Sequence, residues 1–211
     1  MLKKIETHET RARKQRIRNT VIGAIIVFLM VFSTIGYVIV ENNTVPTEGE
    51  KYGNYTFVKG DSGWETTLKS FSNKVLTTSY VPKEVLDVDS SVVDLFYFQD
   101  KTAYVVIRSQ QDVQASIDIG RNLGTIFSRM QYACFKEEEN SSFCLETNLP
   151  LKSCEDADFN NVIIIIDSKN LDNSTNPGYK FKDGCLTIKG EGSGIIKASD
   201  NFIFKLFKII G

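Results

Sequence analysis

Histidine is almost missing from this chain. His8 is the only copy in 211 residues. Everything after it therefore lacks a Ser-His-Asp or Cys-His arrangement and any histidine metal ligand. Cys-x-x-Cys pairs are missing too. Cys134, Cys144, Cys154 and Cys185 are separated by nine, nine and thirty residues, which is not the spacing of a zinc site. No G-x-G-x-x-G, P-loop or H-E-x-x-H pattern occurs. No cofactor is expected.

Charge is missing where it decides most. Residues 21–40, VIGAIIVFLMVFSTIGYVIV from Val21 to Val40, hold no charged residue and no proline. At about 1.5 Å per helical residue they span ~30 Å, the hydrocarbon thickness of a bilayer. Seven Lys and Arg precede them against Glu6 and Glu9, and Glu41 follows at once with no Lys or Arg before Lys51. This asymmetry keeps the N-terminus cytoplasmic and places the rest outside. A cleaved signal has a shorter apolar core and small residues after it, whereas this run ends Gly-Tyr-Val-Ile-Val. A pilin-type processing site is missing as well. The expectation is an uncleaved single-pass anchor. Residues 1–20 form a basic cytoplasmic tail, 21–40 a transmembrane helix that meets the lipid bilayer, 41–53 a linker and 54–211 an extracytoplasmic domain.

The external part is acidic, with 18 basic and 24 acidic residues in 21–211. That disfavours nucleic acid as a partner. An even number of external cysteines reads as two disulfides. Three pairings are possible. The preferred one is Cys134–Cys144, closing the acidic loop FKEEENSSF, with Cys154–Cys185, because each of those cysteines sits just before or at the start of a strand. Asn42, Asn54, Asn140 and Asn173 begin N-x-[ST] sequons and are glycosylation candidates.

Patterning predicts an α+β (mixed α/β) domain. Residues 54–59, 63–69 and 73–80 read as an N-terminal antiparallel meander. Residues 94–98 and 103–107 read as strands, and 110–131 as a helix with Ile119, Leu123, Ile126 and Met130 on one face. The unbroken NVIIIID at 161–167 is the mark of a central strand covered on both faces. Asp183-Gly184 makes a hairpin turn between 179–181 and 185–188. A second helix runs over 194–210, with Ile196, Ile203, Leu206, Phe207 and Ile210 facing the sheet. A lipid-bound surface helix is its other reading.

The segments YGNYTFVKGDSGWETTL, LPLKSCEDADFNNVIIII, GCLTIKGEG and IIKASDNFIFKLFKIIG resemble a group of small archaeal single-span membrane proteins with a cysteine-containing extracytoplasmic domain. The resemblance covers most of 51–211 and implies archaeal origin and this architecture. It carries over no functional residue.

Carboxylates are the remaining chemistry. The clusters at 137–139, at Asp87 and Asp89, and at Glu155, Asp156 and Asp158 read first as solvated surface. The last, beside Asn160 and Asn161, is a weak calcium candidate. The glycine-rich GEGSG at 190–194 reads as a flexible hairpin-to-helix connection. The expected function is a membrane-anchored binding or accessory module of the cell envelope, partnered by another envelope or membrane protein and not an enzyme. The alternative is an extracytoplasmic carboxylate-dependent enzyme acting on glycans.

Overall fold

The computed structural model describes residues 21, 49–110, 112–138, 142–168 and 176–211, with the backbone alone at 142 and 143. The chain divides into two units, Met1–Thr47 and Glu48–Gly211. The apolar run 21–40 lies, beyond Val21, outside the described residues, as do Asn42, Asn140 and Asn173. Among the described residues no helix is long and apolar enough to cross a membrane.

The second unit is mixed α/β. Its meander has four strands in the order β1 (Glu50–Tyr52), β2 (Tyr55–Gly60), β3 (Gly63–Leu68) and β4 (Lys74–Thr78), all antiparallel. β1 lies within the stretch read as linker. At the β2–β3 turn Gly63 has φ 137°, and a Cβ there would come within 2.3 Å of the Thr78 carbonyl oxygen. Only glycine fits so close an approach.

The second sheet contains β5 (Asp89–Ser90), β6 (Thr102–Ile107), β7 (Arg129–Phe135), β8 (Leu151–Lys152), β9 (Asn161–Asp167), β10 (Gly178–Lys182) and β11 (Cys185–Lys189). Their order is β5-β10-β11-β9-β6-β7-β8. β11, β9, β6, β7 and β8 are mutually parallel, and β10 returns antiparallel to β11. β9 is the middle strand, and Ile163, Ile164 and Ile166 on it are fully buried. The central strand expected from NVIIIID is therefore present.

Helices α1 (Asp112–Leu123) and α3 (Ser193–Leu206) lie between this sheet and the meander. One core holds Ile119 and Leu123 of α1, Phe202 and Ile203 of α3, Val105 and Ile164 of the sheet, and Phe57, Leu68 and Leu76 of the meander. Edge-to-face ring pairs, Phe57–Phe204 at 5.6 Å and Phe71–Phe207 at 5.2 Å, join the meander to α3 and the turn after it. The terminal helix therefore packs inside the domain. Its deepest first-turn residue is Ile195, not the expected Ile196, which is half-buried.

The other sheet face carries a smaller cluster of Val106, Ala133, Ile163, Ile165 and Cys185. β8 lies at one edge and β9 beyond β6, so residues 153–160 must cross the sheet. They form a strap over this face, Ala157 packs on the cluster, and Cys154–Cys185 fastens the strap to β11. Cys134–Cys144 closes the second loop, and no described cysteine is free. Both preferred pairings are present.

Three local expectations are corrected. Residues 94–98 form a 3-10 turn, Leu95–Tyr97, because the Asp94 carboxylate accepts the Phe96 amide at 2.9 Å and caps it. The helix expected to reach 131 stops at Leu123. The Gly124 amide donates to the Gly120 carbonyl and closes it, and 129–135 pair with β6 as a parallel strand. Met130 still approaches α1 near Gly120, from the sheet side. A third helix, α2 (Ser142–Thr147), lies inside the Cys134–Cys144 loop region, where two helices were expected in all.

Candidate functional site

In open parallel sheets ligands bind beyond the carboxyl ends of the strands, at the point where strand order reverses. Here the chain leaves β6 for β7 and β8 on one side, then returns as β9 on the other. The reversal falls between β6 and β9. The residues at that point are Arg108 and Ser109 after β6, Asp112 at the start of α1, Glu138 after β7, and Asp167 and Ser168 at the end of β9.

Asp112 is fully buried. One carboxylate oxygen accepts the amides of Arg108 at 3.0 Å and Ser109 at 2.7 Å, and the other accepts the Ser168 amide at 3.1 Å. These are the backbone donors that would otherwise face a bound anion at this turn. The Ser109 and Ser168 hydroxyls lie 2.9 Å apart. Arg108, 8% exposed, pairs with Asp167 at 2.7 Å and Glu138 at 2.5 Å, and its guanidinium lies 4.6 Å from the Phe135 ring centre. Burial opposes its charge, but Glu138 and Asp167 outweigh that and raise its pKa. The crevice is thus filled by the chain's own ion pairs and amide acceptor.

A second polar layer lies between the helices and residues 77–85. Asn122 of α1 bonds both the amide and the carbonyl of Thr77, at 2.9 and 2.7 Å, pairing with the free edge of β4 as a strand would. Asp118 accepts the Ser79 hydroxyl at 2.9 Å and the Gln114 amide at 3.2 Å. Asp200 of α3 accepts the Tyr80 amide at 2.8 Å, and its other oxygen has no partner among the described residues. Burial pushes both carboxyls up, and for Asp200 the nearby Asp118 adds to the shift. Asn201 donates to the Val85 carbonyl at 2.6 Å. These bonds hold the segment after the meander to both helices.

The expected site residues fall elsewhere. Asp156 accepts the amide and hydroxyl of Ser153, at 2.8 and 3.2 Å, capping the first turn of the strap. Asp158 accepts the Asn161 side chain at 2.7 Å and the amides of Asn160 and Asn161. The Ser153 backbone bond holds Asp156 below the usual carboxylate range, and the Asn161 side chain does so for Asp158. With Glu155 exposed, these oxygens serve the turn, and no group of three metal-ligating side chains occurs among the described residues. Asn54 is exposed in the β1–β2 turn, where a glycan has room. The glycine-rich 190–194 links β11 to α3.

The sequence reading did not single out Arg108, Asp112, Asp118 or Asp200 as partners. Two signals were there. Asp118 and Asn122 share a helical face with the apolar Ala115 and Ile119, and Asp200 and Asn201 interrupt an apolar terminal helix. Polar residues on a buried face need partners.

Apolar side chains are exposed at the opposite, amino end of the parallel strands. Phe96 is 80% and Phe159 85% exposed. The Lys101 ammonium lies 3.8 Å from the Tyr97 ring centre and 5.4 Å from that of Phe159, so it bridges the two rings. No protein-family model, curated protein or solved structure matches the chain.

Proposed function

We propose that the protein is a membrane-anchored, extracytoplasmic binding or accessory module of the cell envelope, held in the bilayer by residues 21–40. Its external location is supported by that run, by the basic residues before it, and by the two disulfides, which persist in oxidising compartments. The kinship with small archaeal single-span proteins belongs to the same reading.

The observation that carries the binding role is the set of exposed rings at this end, Tyr97 and Phe159 bridged by Lys101 and Phe96 next to Tyr97 in the chain. Large aromatic rings left in water at one end of a sheet are typical of protein contact surfaces. The partner in this reading is another envelope or membrane protein. A glycan-cleaving role would need two carboxylates facing a cleft. The two with raised pKa, Asp118 and Asp200, lie instead inside the core.

Photo-crosslinking tests the reading. A photoreactive phenylalanine at position 96 or 159 should give one discrete protein adduct in native membranes, and one at Val75 on the meander should not. Adducts at Val75 alone, or to lipid alone, would remove the assigned surface. Protease added to intact cells should digest the 48–211 unit and spare the tail. Full protection would reverse the topology.

A further inference from the structure

A groove of about 590 Å³ opens where the ends of several elements meet. Its apolar wall is Phe71 after β3, Leu95 in the 3-10 turn, Ile126 beyond α1 and Phe207 after α3. Phe207 is buried, and the other three are half-buried. Lys74, the first residue of β4, lines the same groove and donates to the Thr125 hydroxyl at 2.7 Å. Its partner is therefore neutral. Burial lowers the lysine's pKa, and among the described residues no carboxylate offsets the effect. Asp100, exposed, is the one acid bordering the groove and is not a partner of Lys74.

A half-buried ammonium beside an apolar wall, whose partner among the described residues is a hydroxyl, has donors left for an anion. An anion placed on it would gain a charge-assisted hydrogen bond, and an apolar body behind that anion would cover the ring and branched walls. The volume is that of a small-molecule site, and the lining sets these four apolar side chains beside the polar Lys74, Thr125, Ser72, Gln99 and Asp100. We propose that this groove binds a small organic acid, its carboxylate on Lys74 and Thr125 and its aromatic or branched aliphatic body against Phe71, Leu95, Ile126 and Phe207. This deepens the binding-module reading by naming a ligand class at a groove that adjoins the exposed aromatic residues through Leu95, Gln99 and Asp100 but shares no lining residue with them.

The contributions of the two halves of the ligand are separable. Removing the negative charge from the ligand keeps the apolar contact and loses the bond to Lys74. Reversing it sets the ligand's charge against Lys74, and Asp100 at the rim is then its one favourable partner. An acid should therefore bind more tightly than its amide, and the amide more tightly than the amine.

The test uses the full chain in lipid nanodiscs, with empty nanodiscs as the blank. Phenylacetate, phenylacetamide and phenethylamine are titrated by calorimetry. In parallel, acylation of Lys74 and of exposed Lys51 by an amine-reactive reagent is followed by peptide mass spectrometry. Phenylacetate should bind saturably, about tenfold or more tighter than phenylacetamide. It should slow acylation at Lys74 and leave Lys51 unchanged. Lys74→Met should bring the acid down to the amide's affinity, and Lys74→Arg should restore the preference. Thr125→Val should weaken the acid more than the amide. The acylation protection is read on the unaltered protein, so it stands whatever the variants do to folding. The proposal is overturned by absence of saturable binding, by equal affinity for acid and amide, by preference for the amine, or by unprotected Lys74. Any of those outcomes leaves the crosslinking at Phe96 and Phe159 intact, and loss of that crosslinking leaves this groove intact.

Discussion

The two disulfides should differ in what they contribute, and the difference follows from where each closes the chain. Cys134–Cys144 spans 10 residues and Cys154–Cys185 spans 31. If a bridge acts mainly by restricting the unfolded chain, the closed-loop relation gives about 2.7 kcal/mol for the shorter and about 3.7 kcal/mol for the longer at 25 °C. The longer bridge also ties the strap 153–160 over Val106, Ile163 and Ile165. Its loss lets water reach that cluster, so the loop figure is a lower expectation for this pair. The perturbation is paired replacement, Cys154→Ala with Cys185→Ala, set against Cys134→Ala with Cys144→Ala. Urea unfolding of the 48–211 unit is followed by circular dichroism and by the fluorescence of Trp64, the only tryptophan. The strap pair should cost at least about 1 kcal/mol more than the other pair. A domain of ordinary stability, about 5–15 kcal/mol, survives either loss, whereas losing both removes about 6 kcal/mol and unfolds a domain at the low end of that range. An equal cost, or a larger one for Cys134–Cys144, would refute both the loop argument and the role given to the strap.

The buried carboxyls of Asp118 and Asp200 set a pH dependence. Their pKa is raised on folding, so their stabilising contribution is whole below the unfolded carboxyl pKa, about 4, and is lost as pH rises through the folded values. Asp200→Asn keeps an acceptor for the Tyr80 amide and cannot ionise. The difference in melting temperature between variant and parent should therefore grow in the variant's favour from acid to neutral pH, and a constant difference would show that Asp200 carries no bound proton. Asn122→Ala frees the edge of β4 and leaves the Thr77 amide and carbonyl unpaired, at about 1–3 kcal/mol for each buried group, read from urea midpoints; a shift under half a kcal/mol would show that solvent replaces those bonds. Ile164→Asp places a carboxylate at the middle of β9 and should abolish folding; a cooperative melt like the parent's would contradict the central position of that strand. Deleting 195–211 removes Phe202, Ile203, Phe204 and Leu206 from the core at about 1.5–3 kcal/mol each, so the remainder should be insoluble or molten, and a soluble truncation with a sharp transition would contradict the packing of α3.

Several parts of this domain are local enough to read along the chain. An unbroken apolar run of five positions, Val162 to Ile166, specifies a doubly covered strand, whatever its neighbours, because neither face tolerates water. Gly60 to Gly63 and Asp183-Gly184 specify their turns through backbone conformations open to few residues, which makes the meander and the β10–β11 hairpin legible. The preference for Cys154–Cys185 was legible because each of those cysteines adjoins a strand that the patterning gives, whereas Cys134 and Cys144 lie in β7 and α2, which it did not give. Other features depend on partners far along the chain. Residues 129–135 share a helical apolar spacing with α1, and only pairing with β6 makes them a strand. Asn122 meets Thr77 across 45 residues, Asn201 meets Val85 across 116, and Asp200 meets Tyr80 across 120. A carboxylate or amide shows in the sequence as polar and no more. Whether it ends in water or in the core as the sole acceptor of a distant amide is decided by the chain segments that packing brings against it. Lys74 illustrates the same point: its charge is written in the sequence, but that it meets the Thr125 hydroxyl across 51 residues, in a groove also lined by Phe71, Ile126 and Phe207, is decided by packing.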